Sequence, residues 1–68
     1  MSTEAKMQEF GKLEVGKKFY LSNPVGLPEM AYYTKSVSQK DASGAWSNAK
    51  SAFGSPTFVQ YDKRIWVK

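Results

Sequence analysis

Cysteine and histidine are both absent from this chain of 68 residues, and arginine occurs only once, at Arg64. Without cysteine and histidine there is no disulfide, no thiol nucleophile, no imidazole base and none of the usual zinc ligands. The six carboxylates are scattered over the termini and turns, and the five glycines are isolated, so no carboxylate pair or phosphate-binding loop is indicated. We therefore expect no catalysis, no cofactor and no metal site.

Long hydrophobic runs are missing as well. No stretch approaches the roughly 20 apolar residues that a membrane span requires, and the first ten residues do not resemble a signal peptide. These absences predict a cytoplasmic protein without membrane contact. The net charge of +4, carried by nine lysines, favours an anionic partner such as nucleic acid or an acidic protein surface, although lysines also serve solubility alone.

The stretch FGKLEVGKKFYL, at residues 10–21, organises the rest of the chain. It begins as a tight turn and continues, after Gly16, into a first strand predicted at 18–22. We expect residues 1–9 to be a flexible N-terminal segment and residues 10–68 to form a single small domain. Three apolar anchors are predicted in the turn: Phe10, Leu13 and Val15.

The middle of the chain predicts a loop, a second strand and an ambiguous segment. Two prolines break regular structure at 23–28, where Val25 and Leu27 are expected to tuck against the domain, with display to a partner as the alternative. A second strand is predicted at 30–38. Residues 44–53 have apolar side chains at helical spacing, which favours a short helix over a strand.

The end of the chain predicts a closing hairpin. Residues 57–61 and 64–67 are rich in β-branched and aromatic side chains, with a turn at 62–63 between them. If Phe19 and Ile65 face the core, alternation places a cationic and aromatic set on the opposite face. The members of this candidate partner-binding set are Lys18, Tyr20, Arg64, Trp66 and Lys68.

This set has two functional interpretations and one structural interpretation. Rings that stack on bases beside lysines that contact phosphates would bind single-stranded nucleic acid. Trp, Tyr and Arg are also the residues that dominate protein-binding hot spots. In the structural interpretation, Trp66 instead packs under the N-terminal segment or the proline loop as a second layer of the core.

A set of spaced residues runs through the chain: Phe10-x-x-Leu13-x-Val15-Gly16-x-x-Phe19, Tyr33-x-Lys35, Phe58, Asp62 and Ile65-x-Val67. It resembles the pattern of a group of small phage and prophage proteins, most of which have no assigned function. The resemblance implies a small, strongly bent β-barrel of the Src homology 3-like or a related type. The proline loop and the 45–53 segment are longer than in that pattern, and scaffolded loops commonly carry binding.

Together these observations predict a mainly β fold, a small four- or five-stranded antiparallel barrel with a short helix at 44–53. If the phage resemblance holds, the function is binding without catalysis, as a host-directed effector or inhibitor of a bacterial host protein in the host cytoplasm. The scarcity of arginine sets a protein partner ahead of nucleic acid, because arginine is the usual reader of bases and phosphates. The alternatives are a small basic protein that binds single-stranded nucleic acid and a homo-oligomeric structural protein.

Overall fold

Short antiparallel strands build the fold. A computed structural model describes residues 6–67 of the chain. The strands are β1 (Lys6–Glu9), β2 (Lys18–Phe19), β3 (Tyr33–Lys40), β4 (Trp46–Ser51), β5 (Pro56–Thr57) and β6 (Arg64–Val67). Two 3₁₀ helices, Phe10–Lys12 and Glu29–Ala31, lie between them, and residues 6–67 contain no α-helix. The predicted mainly β fold is confirmed. No helix in this range is long and apolar enough to cross a membrane.

The strands form two antiparallel sheets, one of β1 and β6 and one in the order β2-β3-β4-β5. An isolated bridge joins them where the backbone N–H of Tyr20 donates to the Trp66 carbonyl at 2.8 Å and the Trp66 N–H donates back at 2.9 Å. Beyond the β1–β6 ladder, the Gly11 N–H donates to the Tyr61 carbonyl at 2.9 Å and so ties the first 3₁₀ helix to the turn before β6. The predicted closed barrel is wrong, because β5 is only two residues long and no continuous ladder joins it to β1.

The core lies between the first 3₁₀ helix and the two sheets. Its centre is the ring of Phe19, which meets Phe10 edge to face at 5.1 Å and stacks with Tyr33 at 5.7 Å. Leu21 and Val67 are partly buried against the same cluster, so the predicted inward alternation of the first and last strands is confirmed. The buried apolar side chains of the described residues are Phe10, Leu13, Phe19, Ala49, Val59 and Ile65.

Val15, predicted as a third anchor, is 57% exposed. It lies in a β-turn in which the Lys17 N–H donates to the Glu14 carbonyl at 3.2 Å. Gly16 follows Val15 with φ of +94°, a left-handed backbone conformation that glycine adopts without steric cost. The turn directs Val15 outward, so the anchors in this stretch are Phe10 and Leu13 alone.

The segment at 44–53 is a strand, and the helix predicted there is wrong. Residues Trp46–Ser51 form β4, which pairs with β3 on one side and β5 on the other. Asn48 is buried, and its side-chain amide acts as a substitute for a backbone peptide. Its Nδ2 donates to the Val59 carbonyl at 2.7 Å and its Oδ1 accepts the Val59 N–H at 2.8 Å. These long-range bonds favour the extended conformation over a helix.

The predicted terminal hairpin is also wrong. Strand β6 pairs with β1, in a register that sets Met7 opposite Trp66, whereas β5 pairs with β4. Residues 58–63 instead pass beside the first 3₁₀ helix and bond its backbone. Residues 6–9, which we expected to be flexible, form β1, and residues 1–5 lie outside the described range.

The first two predicted strands are shifted in their boundaries. Strand β2 ends at Phe19, followed by the bridge at Tyr20, and β3 begins only at Tyr33 because the Glu29–Ala31 3₁₀ helix precedes it. In the intervening loop Pro24 is the buried residue. Val25 and Leu27 are both exposed, so the loop displays these side chains and the expected tucking is wrong.

The turn between β3 and β4 is held by one carboxylate. Asp41 Oδ1 accepts hydrogen bonds from the Ser43 hydroxyl at 2.6 Å, the Ser43 N–H at 2.9 Å and the Ala45 N–H at 3.0 Å. The hydroxyl of Ser43, followed by the backbone N–H of Ala45, holds the pKa of Asp41 below its ordinary value of 3.8.

This lowered pKa predicts a small pH-dependent contribution of Asp41 to stability. Because the folded pKa lies below the unfolded one, the contribution is fully present above the unfolded value and is lost as pH falls through the folded value. We expect Asp41→Ala to lower the urea midpoint slightly and equally at all pH values above about 5, with the gap to wild type closing in more acidic solution. A gap that is the same at about pH 2 and pH 6 would contradict this account.

Candidate functional site

The isolated bridge brings the first and last strands side by side, which the candidate partner-binding set requires. Tyr20 and Trp66 pair directly and each is half-buried on the face opposite Phe19. Lys18 and Arg64 are both exposed. Because the strands run antiparallel, these two cations lie at opposite ends of the aromatic pair.

Lys68, the fifth predicted member, lies outside the described residues. The structure therefore brings together Tyr20 and Trp66, places Lys18 and Arg64 beside them, and leaves the binding role of all five as a prediction.

Two further side chains extend the pair into a row. Met7 lies opposite Trp66 in the β1–β6 ladder and is exposed. Tyr32 precedes Tyr33, which pairs with Phe19 at the end of the β2–β3 ladder, so alternation places Tyr32 on the same face as Tyr20. We call this set the aromatic row; its members are Met7, Trp66, Tyr20 and Tyr32.

A cation–π contact links the aromatic row to its cationic flank. Lys18 Nζ lies 4.6 Å from the centre of the Tyr32 ring. The sequence left open which of two adjacent tyrosines is buried; both are half-buried, and their contacts distinguish them, because Tyr33 stacks on Phe19 against the core and Tyr32 meets Lys18. No signal in the polar sequence of β1 could have identified Met7.

A cleft opens between the turn before β2 and strands β1 and β6, and no member of the aromatic row lines it. It is an open depression of about 730 Å³. Its lining combines three lysines with an apolar floor and one carboxylate. We call it the lysine cleft; its residues are Gln8, Lys12, Leu13, Glu14, Gly16, Lys17, Lys18 and Val67.

A smaller depression of about 350 Å³ continues from the lysine cleft across β1 and β6. It shares Gln8 and Lys12 with the lysine cleft and adds Met7, Glu9 and Arg64. Lys12 Nζ lies 3.9 Å from Glu9 Oε1, a distance at which an exposed ion pair contributes little. The two depressions thus adjoin through Gln8 and Lys12, and the second one reaches Met7 at one end of the aromatic row.

Lys35 supports the lysine cleft through hydrogen bonds to the backbone that carries Leu13, one of the lining residues. This β3 residue is 8% exposed, and its Nζ donates to the carbonyl oxygens of Phe10 at 2.9 Å and Leu13 at 2.5 Å. The same Nζ lies 4.6 Å from the centre of the Phe10 ring. Among the spaced residues that carry the phage resemblance, Phe10, Leu13, Phe19 and Lys35 therefore meet in the core, and their role there is structural.

Much apolar surface remains outside the core. The exposed fractions of the large apolar side chains range from 40% to 79%. The residues concerned are Met7, Val15, Val25, Leu27, Met30, Val37, Trp46, Phe53, Phe58 and Tyr61.

The described residues hold no group of three or more histidine, cysteine or carboxylate side chains placed to bind a metal ion. Compared with known proteins, the chain matches no family model, no curated protein and no solved structure.

Proposed function

We propose that this protein is a non-catalytic binding protein whose aromatic row docks on another protein. The observation that carries the proposal is the contiguity of the aromatic row, in which the exposed Met7 lies opposite Trp66 and Trp66 bridges to Tyr20. Monomeric proteins seldom leave extensive contiguous apolar surface in water, and such surface commonly marks an interaction site.

The aromatic row has the composition of an interface centre. Tyr, Trp, Met and Arg are enriched where proteins meet, whereas lysine belongs mainly to the rim. Tyr20 and Trp66 are half-buried, and their backbones are fixed to each other by two hydrogen bonds. Because each ring is already partly buried, its side chain has less conformational freedom to lose on binding, which favours affinity.

The proposed partner is a bacterial host protein, and the proposed role is that of a phage-encoded effector or inhibitor in the host cytoplasm. The support for this part is the resemblance of the spaced residues to small phage and prophage proteins. An inhibitor needs only to cover a functional surface of its target, which is a task for an interface without catalytic groups.

One observation favours a second candidate function, the binding of single-stranded nucleic acid. Lys18 lines the lysine cleft, and its Nζ also lies 4.6 Å from the centre of the Tyr32 ring, so one cation belongs to both the cleft and the edge of the aromatic row. Rings beside lysines are the usual arrangement for stacking bases and neutralising phosphates. The single arginine keeps this function second.

The experiment is capture from bacterial lysate by the tagged protein, with and without nuclease, for wild type and for Tyr20→Ala with Trp66→Ala. We expect a discrete, nuclease-resistant protein band, and an affinity for the purified band protein that falls by at least about 2 kcal/mol, roughly thirtyfold, in the double variant. The matched control is Phe53→Ala with Phe58→Ala, which removes two exposed rings elsewhere and is expected to bind normally.

Circular dichroism must show that both double variants remain folded. Normal capture by a folded Tyr20/Trp66 variant would remove the aromatic row from the proposal. Retained material that disappears with nuclease would favour the nucleic-acid function. A concentration-dependent dimer in light scattering that the double variant abolishes would favour the homo-oligomeric alternative.

A further inference from the structure

The floor and walls of the lysine cleft differ in chemistry. Leu13 and Val67 give the floor an apolar surface, and Lys12, Lys17 and Lys18 stand around it. The cleft is open, so an extended chain can enter without any movement of the strands. A segment that fits here presents apolar atoms to the floor and negative charge to the walls.

The charge of the cleft is not neutralised within the described chain. Three lysines face one carboxylate, Glu14, and the one ion pair within 4 Å among residues 6–67 joins Lys12 to Glu9. Lys17 and Lys18 therefore have no carboxylate partner in that range. Clustered cations in a depression raise the local concentration of an anionic group and increase its rate of association with the protein.

The cationic surface continues past the cleft into the second depression, which reaches one end of the aromatic row. Lys12 lines both depressions, and Arg64 lies in the second one together with Met7, which is a member of the row. A single partner can therefore cover the rings and place a neighbouring segment along the cations. The two features then act as one interface.

We infer that the lysine cleft receives an acidic segment of the partner polypeptide, one that carries several aspartate or glutamate residues around an apolar side chain. This inference rests on the proposed function and specifies the chemistry of the partner. Polypeptide is favoured over nucleic acid because no aromatic ring lines either depression, so bases would have nothing to stack on. Glu14 in the cleft and Glu9 in the second depression also repel a continuous line of phosphates more than they repel spaced carboxylates.

The test titrates three defined probes into the isolated protein. Binding is measured from the amide chemical shifts of the protein, at low and at physiological salt. The probes are a peptide of alternating glutamate and leucine, the same peptide with glutamine in place of glutamate, and single-stranded oligothymidine. We expect the glutamate peptide to bind selectively, to shift amides of residues 12–18 and Val67, and to weaken as salt rises. Lys12→Gln with Lys17→Gln should reduce its affinity roughly fivefold to tenfold.

The matched control is Lys40→Gln with Lys63→Gln, which removes the same charge from exposed residues outside both depressions and should leave binding within about twofold. Equal loss in the two lysine variants would show a net-charge effect and overturn the inference. No binding of the glutamate peptide at about 1 mM would do the same, since that corresponds to about −4 kcal/mol. Tighter, lysine-dependent binding of oligothymidine would assign the cleft to nucleic acid.

Each of the two proposals can be disproved without disproving the other. If the captured partner depends on Tyr20 and Trp66 but binds the Lys12/Lys17 variant normally, the aromatic row stands and the acidic segment is excluded. If the glutamate peptide binds through the lysines while the Tyr20/Trp66 variant captures everything that wild type does, the cleft stands and the row is excluded.

Discussion

Replacing Phe19 by alanine is expected to remove most of the stability of the fold. The Phe19 ring is fully buried and contacts Phe10 and Tyr33 at centroid distances of 5.1 and 5.7 Å. Truncation of a buried phenylalanine costs about 3–5 kcal/mol, since both the transfer free energy and the cavity act against folding. A domain of this size has a total stability of roughly 3–10 kcal/mol, so the variant should be largely unfolded at 37 °C.

Urea denaturation followed by circular dichroism measures this loss. The matched control is Phe53→Ala, because Phe53 is 79% exposed and its truncation should change the free energy of unfolding by no more than about 0.5 kcal/mol. A loss below about 1 kcal/mol for Phe19→Ala would mean that the core is not organised around this ring.

The inward faces of the first and last strands could be predicted because strand alternation is a local property. Phe19 and Leu21 share one face at a spacing of two, as do Ile65 and Val67, and the core uses all four. The same local rule placed Tyr20 and Trp66 together on the outer face once the two strands were neighbours. What the alternation cannot supply is the function of that face.

Strand partners could not be predicted in the same way, because pairing is decided by residues far apart in the sequence. The closing hairpin was the interpretation with the best local signal, yet β6 pairs with β1, whose sequence Lys-Met-Gln-Glu has little strand character. Four consecutive residue pairs in that ladder outweigh weak local propensity. Because this pairing was not predicted, Met7 was not included in the predicted partner-binding set.

The apolar spacing in 44–53 led to the wrong prediction of a helix, because a pattern of apolar residues takes no account of the polar residue between them. Asn48 is buried and satisfied by the backbone of Val59, eleven positions away. A buried amide is tolerated only when it is fully hydrogen-bonded, and a sequence pattern cannot show a partner at that distance. The lysine cleft was missed on similar grounds, since its walls come from a turn, β2 and the ends of two other strands.

Replacing Lys35 by methionine should cost about 3 kcal/mol although the volume of the side chain is nearly preserved. The Lys35 Nζ donates to the carbonyl oxygens of Phe10 and Leu13, which lie at the start and the end of the first 3₁₀ turn. Methionine has no donor, so these carbonyls lose charged hydrogen bonds worth about 1.5–3 kcal/mol each, partly offset by the removal of a buried cation.

The matched control for this variant is Lys50→Met, an exposed lysine on the neighbouring strand, with an expected change within about 0.5 kcal/mol. The free energy of unfolding from urea titration distinguishes the two. Since Leu13 belongs to the floor of the lysine cleft, the fraction of Lys35→Met that is still folded should also bind the glutamate peptide less tightly than wild type. A Lys35→Met variant as stable as wild type would show that the first 3₁₀ turn is held by the Phe10 and Leu13 side chains alone, without the lysine.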